Sequence, residues 1–277
     1  MALDETLLES AADGGGFSLR FYRWHEPTLS LGYFQQYDDR WQHAASRNCP
    51  AVRRATGGGA ILHDREITYS FAVPPGHRLA LKHISLYKSV HSVLIEALAA
   101  HGINASLCRG EDREKEIGDC PDFRGHRASM VGENGTVPFA TPEKGLKEPF
   151  LCFQRRSPGD VLLRAVKIAG SAQRRRRAAV LQHGSLLLGR SPAAPELPGL
   201  AEAAAIDLSF DQLVQIWLSK LAEALSMQLK PGILSHSEQR RAEDLAREKY
   251  DSTDWTRNRG GNMHAEKAGI SQSTPPL

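Results

Sequence analysis

Three consecutive glycines, Gly57, Gly58 and Gly59, stand between two short stretches of strand character, residues 51–54 and 60–63. A glycine inside a helix or strand costs about 0.5–1 kcal/mol relative to alanine, so a triplet belongs to a loop, and what it joins here is sheet. The neighbouring sequence agrees. Phe17, Leu19 and Phe21 interleave with Ser18, Arg20 and Tyr22, and residues 28–32 form another short strand. The cleanest strand is residues 67–73, where Ile67, Tyr69, Phe71 and Val73 share a face before Pro74-Pro75-Gly76 withdraws the ladder donor.

Helical periods punctuate these strands without alternating with them. Leu3, Leu7 and Leu8 share one face of residues 1–12, which stop at Gly14-Gly15-Gly16. Residues 84–100 place Ile84, Tyr87, Val90, Leu94 and Leu98 at helical spacing, and Gly102 is the stop. A helix opens at Ser209 with Gln212 as a capping box, buries Leu213, Trp217, Leu221 and Leu225, and closes at Pro231-Gly232. Another runs from Ser235, capped by Glu238, to about Tyr250. Residues 150–188 read as strand broken at Pro158-Gly159 and at Gly170. The fold class is therefore α+β, a mixed β-sheet with packed helices. Residues 110–148 keep no period and read as a surface insertion, and residues 256–277 as a disordered tail, leaving one domain over residues 1–255.

Composition removes several function classes. Hydrophobic residues make up 41 % and charged residues 24 %, ordinary globular usage. Thirty-five basic against 32 acidic side chains leave +3, which offers no field for nucleic acid. No run reaches the ~18–20 apolar residues of a membrane span. The opening Met1-Ala2-Leu3-Asp4-Glu5 carries acids where a secretory leader is basic, so a cytoplasmic protein is expected. The four cysteines lack CxxC spacing, and neither a disulfide framework nor a metal site is expected.

Three stretches carry possible chemistry. The glycine triplet leaves backbone N–H groups unobstructed and suits an acyl chain or an anion, although a hairpin turn needs the same residues. It is not a phosphate loop of the GxxxxGK[ST] type. Cys152 and Lys167 flank Ser157-Pro158-Gly159-Asp160. A thiolate attacks thioesters and a nearby ammonium favours it; the alternatives are a buried core thiol and an edge-strand lysine. The run Arg174-Arg175-Arg176-Arg177 suits phosphate or carboxylate, or is a solvated turn. His183, between Gln182 and Gly184, is an acid–base group or a structural hydrogen-bonder.

Taken together, Arg53-Arg-Ala-Thr-Gly-Gly-Gly-Ala-Ile-Leu-His63, Thr68-Tyr69-Ser70, Lys167-Ile-Ala-Gly-Ser-Ala-Gln173 and Gln182-His-Gly-Ser-Leu-Leu187 resemble the biotin and lipoate protein ligase superfamily, in its lipoate–protein ligase A and cysteine octanoyltransferase branch. Residues 1–5, 29–35 and 250–255 add weaker matches. The resemblance implies the catalytic fold of that superfamily, a mixed sheet around an acyl pocket, with the lysine matching Lys167 holding the activated carboxyl. Carried over residue by residue, it places Arg54, Thr56, Gly57, Gly58, Gly59, His63, Gly170, Ser171, His183 and Gly184 against substrate, and Cys152 and Lys167 as catalytic. The family pattern begins some tens of residues upstream of residues 1–5, so an opening strand is expected to be missing and a sheet edge exposed.

The branch holds two chemistries: ATP-dependent ligation through an acyl-adenylate, and transfer through a cysteine thioester. Cys152 after Pro149-Phe150 resembles the transferase. The expectation is transfer of octanoyl from acyl carrier protein to the lysine of a lipoyl domain, such as the glycine-cleavage H protein, by a monomer. Thioester exchange is nearly isoenergetic, so no cofactor is needed; ATP and Mg belong to the ligase alternative. A non-catalytic carrier-binding relative is the third reading, against which the presence of both Cys152 and Lys167 speaks. Both protein partners are typically acidic, which gives Arg174, Arg175, Arg176 and Arg177 a docking role.

Overall fold

The computed structural model describes residues 1–81, 83–109 and 149–260. Its framework is a six-stranded antiparallel sheet in the order β1-β5-β9-β8-β7-β6, formed by Ser18–Tyr22 (β1), Glu66–Val73 (β5), Ala105–Leu107 (β6), Val161–Leu163 (β7), Val166–Arg176 (β8) and Ala179–Leu187 (β9). A second sheet sets Thr28–Leu31 (β2) parallel to Ala51–Arg53 (β3) and antiparallel to Ile61–His63 (β4). The parallel pairing among the described strands lies here.

The two-residue period of β5 decides what covers each face. Ile67, Tyr69, Phe71 and Val73 join Val180 and Leu186 in a core closed by the helices His83–Ala99 (α3) and Phe210–Leu225 (α5). Trp217 of α5, fully buried, tilts against Tyr69 and Phe21 at 5.0 Å. Burying a side chain of this class contributes ~1.5–3 kcal/mol, which is why the apolar stripe of α5 and not its propensity holds it there. On the other face Ala72, Ala179 and Leu181 meet Leu7, Leu8 and Ala11 of Ala2–Ala12 (α1). Leu187 packs there with Leu29, Leu31, Ala60 and Leu62 of the small sheet. The short helices Arg78–Leu81 (α2) and Leu200–Ala204 (α4) complete the described shell, with His236–Leu245 (α6) and Thr253–Asn258 (α7) at the C-terminal end.

Several expectations need correcting. Gly170 does not break its strand, because β8 runs through it. Helix α5 ends at Leu225, with Ser226 in the left-handed region at φ 52°, well before Pro231. The ordered chain continues past residue 255. Thr256 is buried, its carbonyl accepts from Arg53 Nε at 2.9 Å, and Trp255 Nε1 donates to the Arg53 carbonyl at 2.9 Å. Residues 110–148, expected as an insertion, and the remaining tail, 261–277, lie outside the described residues. No described helix is long and apolar enough to cross a membrane.

Candidate active site

Cys152 opens a short 3-10 turn, Cys152–Gln154, directly after Leu151 pairs with Ala60. The Ala60 N–H donates to the Phe150 carbonyl at 3.0 Å, and the Cys152 N–H donates to the Ala60 carbonyl at 2.7 Å. Gly59 makes this approach possible. A Cβ on it would stand 3.1 Å from both the Cys152 nitrogen and Cα, and 3.2 Å from the Phe150 oxygen. Gly58 next to it sits at φ +95°, a conformation that L side chains rarely adopt. The triplet is thus the seat of the cysteine as much as a turn.

Lys167 approaches from β8. Its Nζ lies 3.8 Å from Cys152 Sγ, 3.3 Å from the Cys152 carbonyl oxygen and 2.8 Å from Asp160 Oδ2. The strand is internal and Lys167 is buried, so the edge-strand reading fails. Burial pulls its ammonium down, but the neighbouring Cys152 sulfur and Asp160 carboxylate outweigh that and hold the pKa above the ordinary lysine value. Gly170 leaves the slot for this pair. A Cβ there would lie 2.7 Å from Lys167 Cε and 3.0 Å from Asp160 Oδ1.

Sequence reasoning missed His91 and Asp160. On α3, His91 sits amid apolar Val90, Val93 and Leu94, and its spacing signals only core. In the structure its Nδ1 lies 2.5 Å from the Gly159 carbonyl, which accepts only, so Nδ1 carries the hydrogen. Nε2 then accepts from Tyr69 Oη at 2.7 Å and Ser171 Oγ at 3.1 Å. Ser171 is thereby tied to His91, and Gly184, opposite Ser171 and Tyr69 in the sheet, supplies the room that Tyr69 Oη occupies.

Other polar residues expected against substrate hydrogen-bond inside the fold, although the buried Arg54 Nε has no partner there. Arg54 donates to the Ser30 carbonyl at 2.9 Å, Ser30 Oγ at 3.1 Å, the Gly57 carbonyl at 2.9 Å and the Gly59 carbonyl at 2.6 Å. Burial lowers its pKa to about 10, which leaves it a cation at neutral pH. It braces the glycine loop from behind. His63 bonds Glu66 Oε1 at 2.6 Å and Ser30 Oγ at 2.8 Å and stacks on Trp24, while Thr56 Oγ1 meets His183 Nε2 at 2.5 Å. The arginine run is also largely spent. Arg174 and Arg175 donate to the Ala55 and Ala80 carbonyls, and Arg176 and Arg177 pair with Glu9 and Asp13 of α1. Of the expected contacts, Gly59 and Gly170 border the Cys152–Lys167 pair directly.

Two of the buried histidines, His91 and His183, set an acid limit on stability. Burial lowers the pKa of both; the Gly159 hydrogen bond for His91, and Asp4 for His183, oppose it only in part. The unfolded chain then takes up the protons first, so their contribution is complete above about pH 6.5 and is lost as pH falls through the lower folded values. Melting temperatures should hold from pH 8 to 7 and drop between pH 6.5 and 5. A His91→Asn, His183→Asn double variant should show a flatter profile in that window; an equal slope would refute the assignment.

A buried lysine against a cysteine that a glycine loop seats is an arrangement able to carry acyl chemistry. The catalytic-domain model of lipoyl protein ligases A and B matches residues 1–194, and the chain belongs to that family. It is an acyl-transferring enzyme. Octanoyltransferase LipM of Kyrpidia tusciae is 30 % identical over 280 residues and that of Geobacillus kaustophilus 28 %, each pairing covering 92 % of both chains. Among solved structures, a putative lipoate protein ligase from T. acidophilum with bound lipoic acid superposes with a TM-score of 0.66 at 20 % identity, covering 92 % of this chain and 91 % of that one. A structure from an archaeal lipoylation system, described as a bipartite lipoate protein ligase and its E2 lipoyl domain from Thermoplasma acidophilum, gives 0.63 at 18 %, covering 99 % and 92 %. These likenesses establish the catalytic fold expected from the sequence.

Proposed function

We propose that this chain transfers octanoyl from octanoyl-acyl carrier protein to the lysine of a lipoyl domain through a thioester on Cys152. The observation that carries the reading is Lys167 Nζ at 3.8 Å from Cys152 Sγ in a buried site. The relatives named octanoyltransferase support the acyl group, and the E2 lipoyl domain named beside the T. acidophilum ligase supports the class of acceptor.

The thiolate attacks the donor carbonyl carbon, a new C–S bond forms, and the carrier's C–S bond breaks as its sulfur takes a proton from the Lys167 ammonium, which is left as the neutral amine. The acceptor amine then attacks the enzyme thioester, a C–N bond forms, and Cys152 leaves as thiolate. The amine's surplus proton passes to Lys167 or water. Gly170 and Ser171 are paired within the β8–β9 ladder, and the Cys152 N–H is committed to Ala60. That leaves the N–H groups of residues 57–59, in the loop beside Cys152, as the proposed donors to the oxyanion. Arg54, holding the carbonyls of Gly57 and Gly59 behind the loop, orients those peptides.

Incubation with octanoyl-acyl carrier protein without ATP should add the mass of one octanoyl group to the protein, removable by thiol exchange. Addition of a lipoyl domain, with the glycine-cleavage H protein as one arm, should move the group onto its lysine. Acylation that occurs only with free acid, ATP and Mg would replace this reading with the ligase. Binding of the carrier without any acyl transfer would leave a non-catalytic relative.

A further inference from the structure

A lysine ammonium has three hydrogens and no acceptor, and it rides on a flexible four-carbon stem. Lys167 directs its Nζ at three acceptors, and two of them, the carbonyl oxygen and the sulfur, belong to Cys152 itself. The third and shortest contact is Asp160 Oδ2 at 2.8 Å. A stem anchored only by the residue it must act on has no independent reference point. Asp160 supplies one.

The carboxylate is mounted rigidly. Residues 157–160 form a turn in which the Asp160 N–H donates to the Ser157 carbonyl at 3.0 Å and Asp160 Oδ2 accepts from the Ser157 N–H at 2.7 Å. The Asp160 carbonyl accepts from the Cys108 N–H at 2.8 Å, tying the turn to the end of β6. One residue earlier, the Gly159 carbonyl is pinned by His91 of α3. The opposite wall is Gly170, where any Cβ would collide with both members of the pair. Thus a helix, two strands and a turn converge on the carboxylate, and the carboxylate meets the lysine.

We propose that Asp160 is the positioning residue of this site: it fixes the Lys167 ammonium over the Cys152 sulfur, through the Ser157–Asp160 turn that His91 anchors. The proposal rests on the acyltransfer reading for its rate effect but not for its effect on the thiol. Asp160 touches neither substrate nor the reacting sulfur; it acts through Lys167. Among the described residues Tyr69, Tyr87 and His91 also feel Asp160, and Arg54 and Tyr87 feel Cys152; none of these is a carboxylate that could hold Lys167 in place of Asp160.

Two opposite consequences separate positioning from mere neutralisation. If Asp160 only offset the lysine charge, its removal would favour the thiolate. If it positions the lysine, its removal frees the ammonium from the sulfur and disfavours the thiolate. The experiment compares wild type, Asp160→Ala, Asp160→Asn and Lys167→Ala by iodoacetamide alkylation of the Cys152 peptide across pH, with intact-mass acyl-enzyme formation from octanoyl-acyl carrier protein alongside. Asp160→Ala should shift the alkylation profile toward higher pH, approaching Lys167→Ala, and slow acylation by about 100-fold, the low end of what a positioned proton-transfer group contributes. Asp160→Asn, which keeps one oxygen acceptor and the side-chain volume, should fall between and guards against a folding failure of the alanine variant. An unmoved or downward-shifted profile overturns the proposal. A wild type that alkylates normally but takes no octanoyl without ATP overturns the function and leaves the alkylation test of Asp160 standing.

Discussion

Cys152→Ser should abolish transfer from octanoyl-acyl carrier protein, a loss of about a thousandfold or more, while leaving the fold intact. The hydrogen bond that seats residue 152 uses its backbone N–H on the Ala60 carbonyl, so the substitution touches no structural contact of the glycine loop. A serine hydroxyl is almost wholly protonated at neutral pH. The group beside it is a lysine whose pKa is raised on balance, the opposite of what a general base for serine needs. Lys167→Ala should fail too, by losing the cation at 3.8 Å and the route for the amine proton. The ligase reading predicts another pattern: dependence on ATP, loss in Lys167→Ala and near silence in Cys152→Ser. Assays of both variants with and without ATP, reading acyl-enzyme and acylated lipoyl domain by mass, decide between them. A Cys152→Ser protein that joins lipoate to a lipoyl domain when given ATP ends the octanoyltransferase reading.

What was legible in the sequence follows from the range of the forces involved. Strand β5 announces itself because alternation and a proline stop are local, and α5 because Ser209, Gln212 and its apolar stripe are local too. Cys152 and Lys167 were recognisable as a pair only through a family pattern, since nothing in fifteen residues of spacing specifies a contact. The errors are failures of locality. Gly170 reads as a strand breaker until Lys167 and Asp160 are seen filling the space over it. The arginine run reads as either an anion grip or a solvated turn, and its carboxylate partners Glu9 and Asp13 are unreadable because they lie some 165 residues earlier. Thr256 reads as tail because its partner, Arg53, is 203 positions away. His91 was invisible for a different reason. A histidine on an apolar helix face carries no sign of whether it ends on carbonyl, hydroxyl or carboxylate, and only the sheet beneath it decides.

Arg54→Met should be strongly destabilising. The guanidinium supplies hydrogen bonds to four oxygens: the Ser30 carbonyl and hydroxyl, and the carbonyls of Gly57 and Gly59. Methionine matches the stem but donates nothing, so those buried acceptors are left unsatisfied. Each such loss costs about 1–3 kcal/mol, and relaxation of the loop recovers part of the sum, which points to about 3–5 kcal/mol in all. The damage extends through Ser30, whose hydroxyl also meets His63, itself held by Glu66. Arg54→Lys keeps the charge but not the planar fork that reaches both faces of the loop, so it should recover only a minor share. Arg177, two-thirds exposed and paired with Asp13, is the contrasting case; its alanine variant should change stability by less than about 1 kcal/mol. Urea midpoints of the three variants measure these differences directly. Because Gly59 seats the Cys152 turn, Arg54→Met should also slow acyl-enzyme formation under conditions where it remains folded. An Arg54→Met protein with the wild-type midpoint and acylation rate would show that the guanidinium is not the brace of the glycine loop, and the assignment of that loop as a rigid oxyanion site would fall with it.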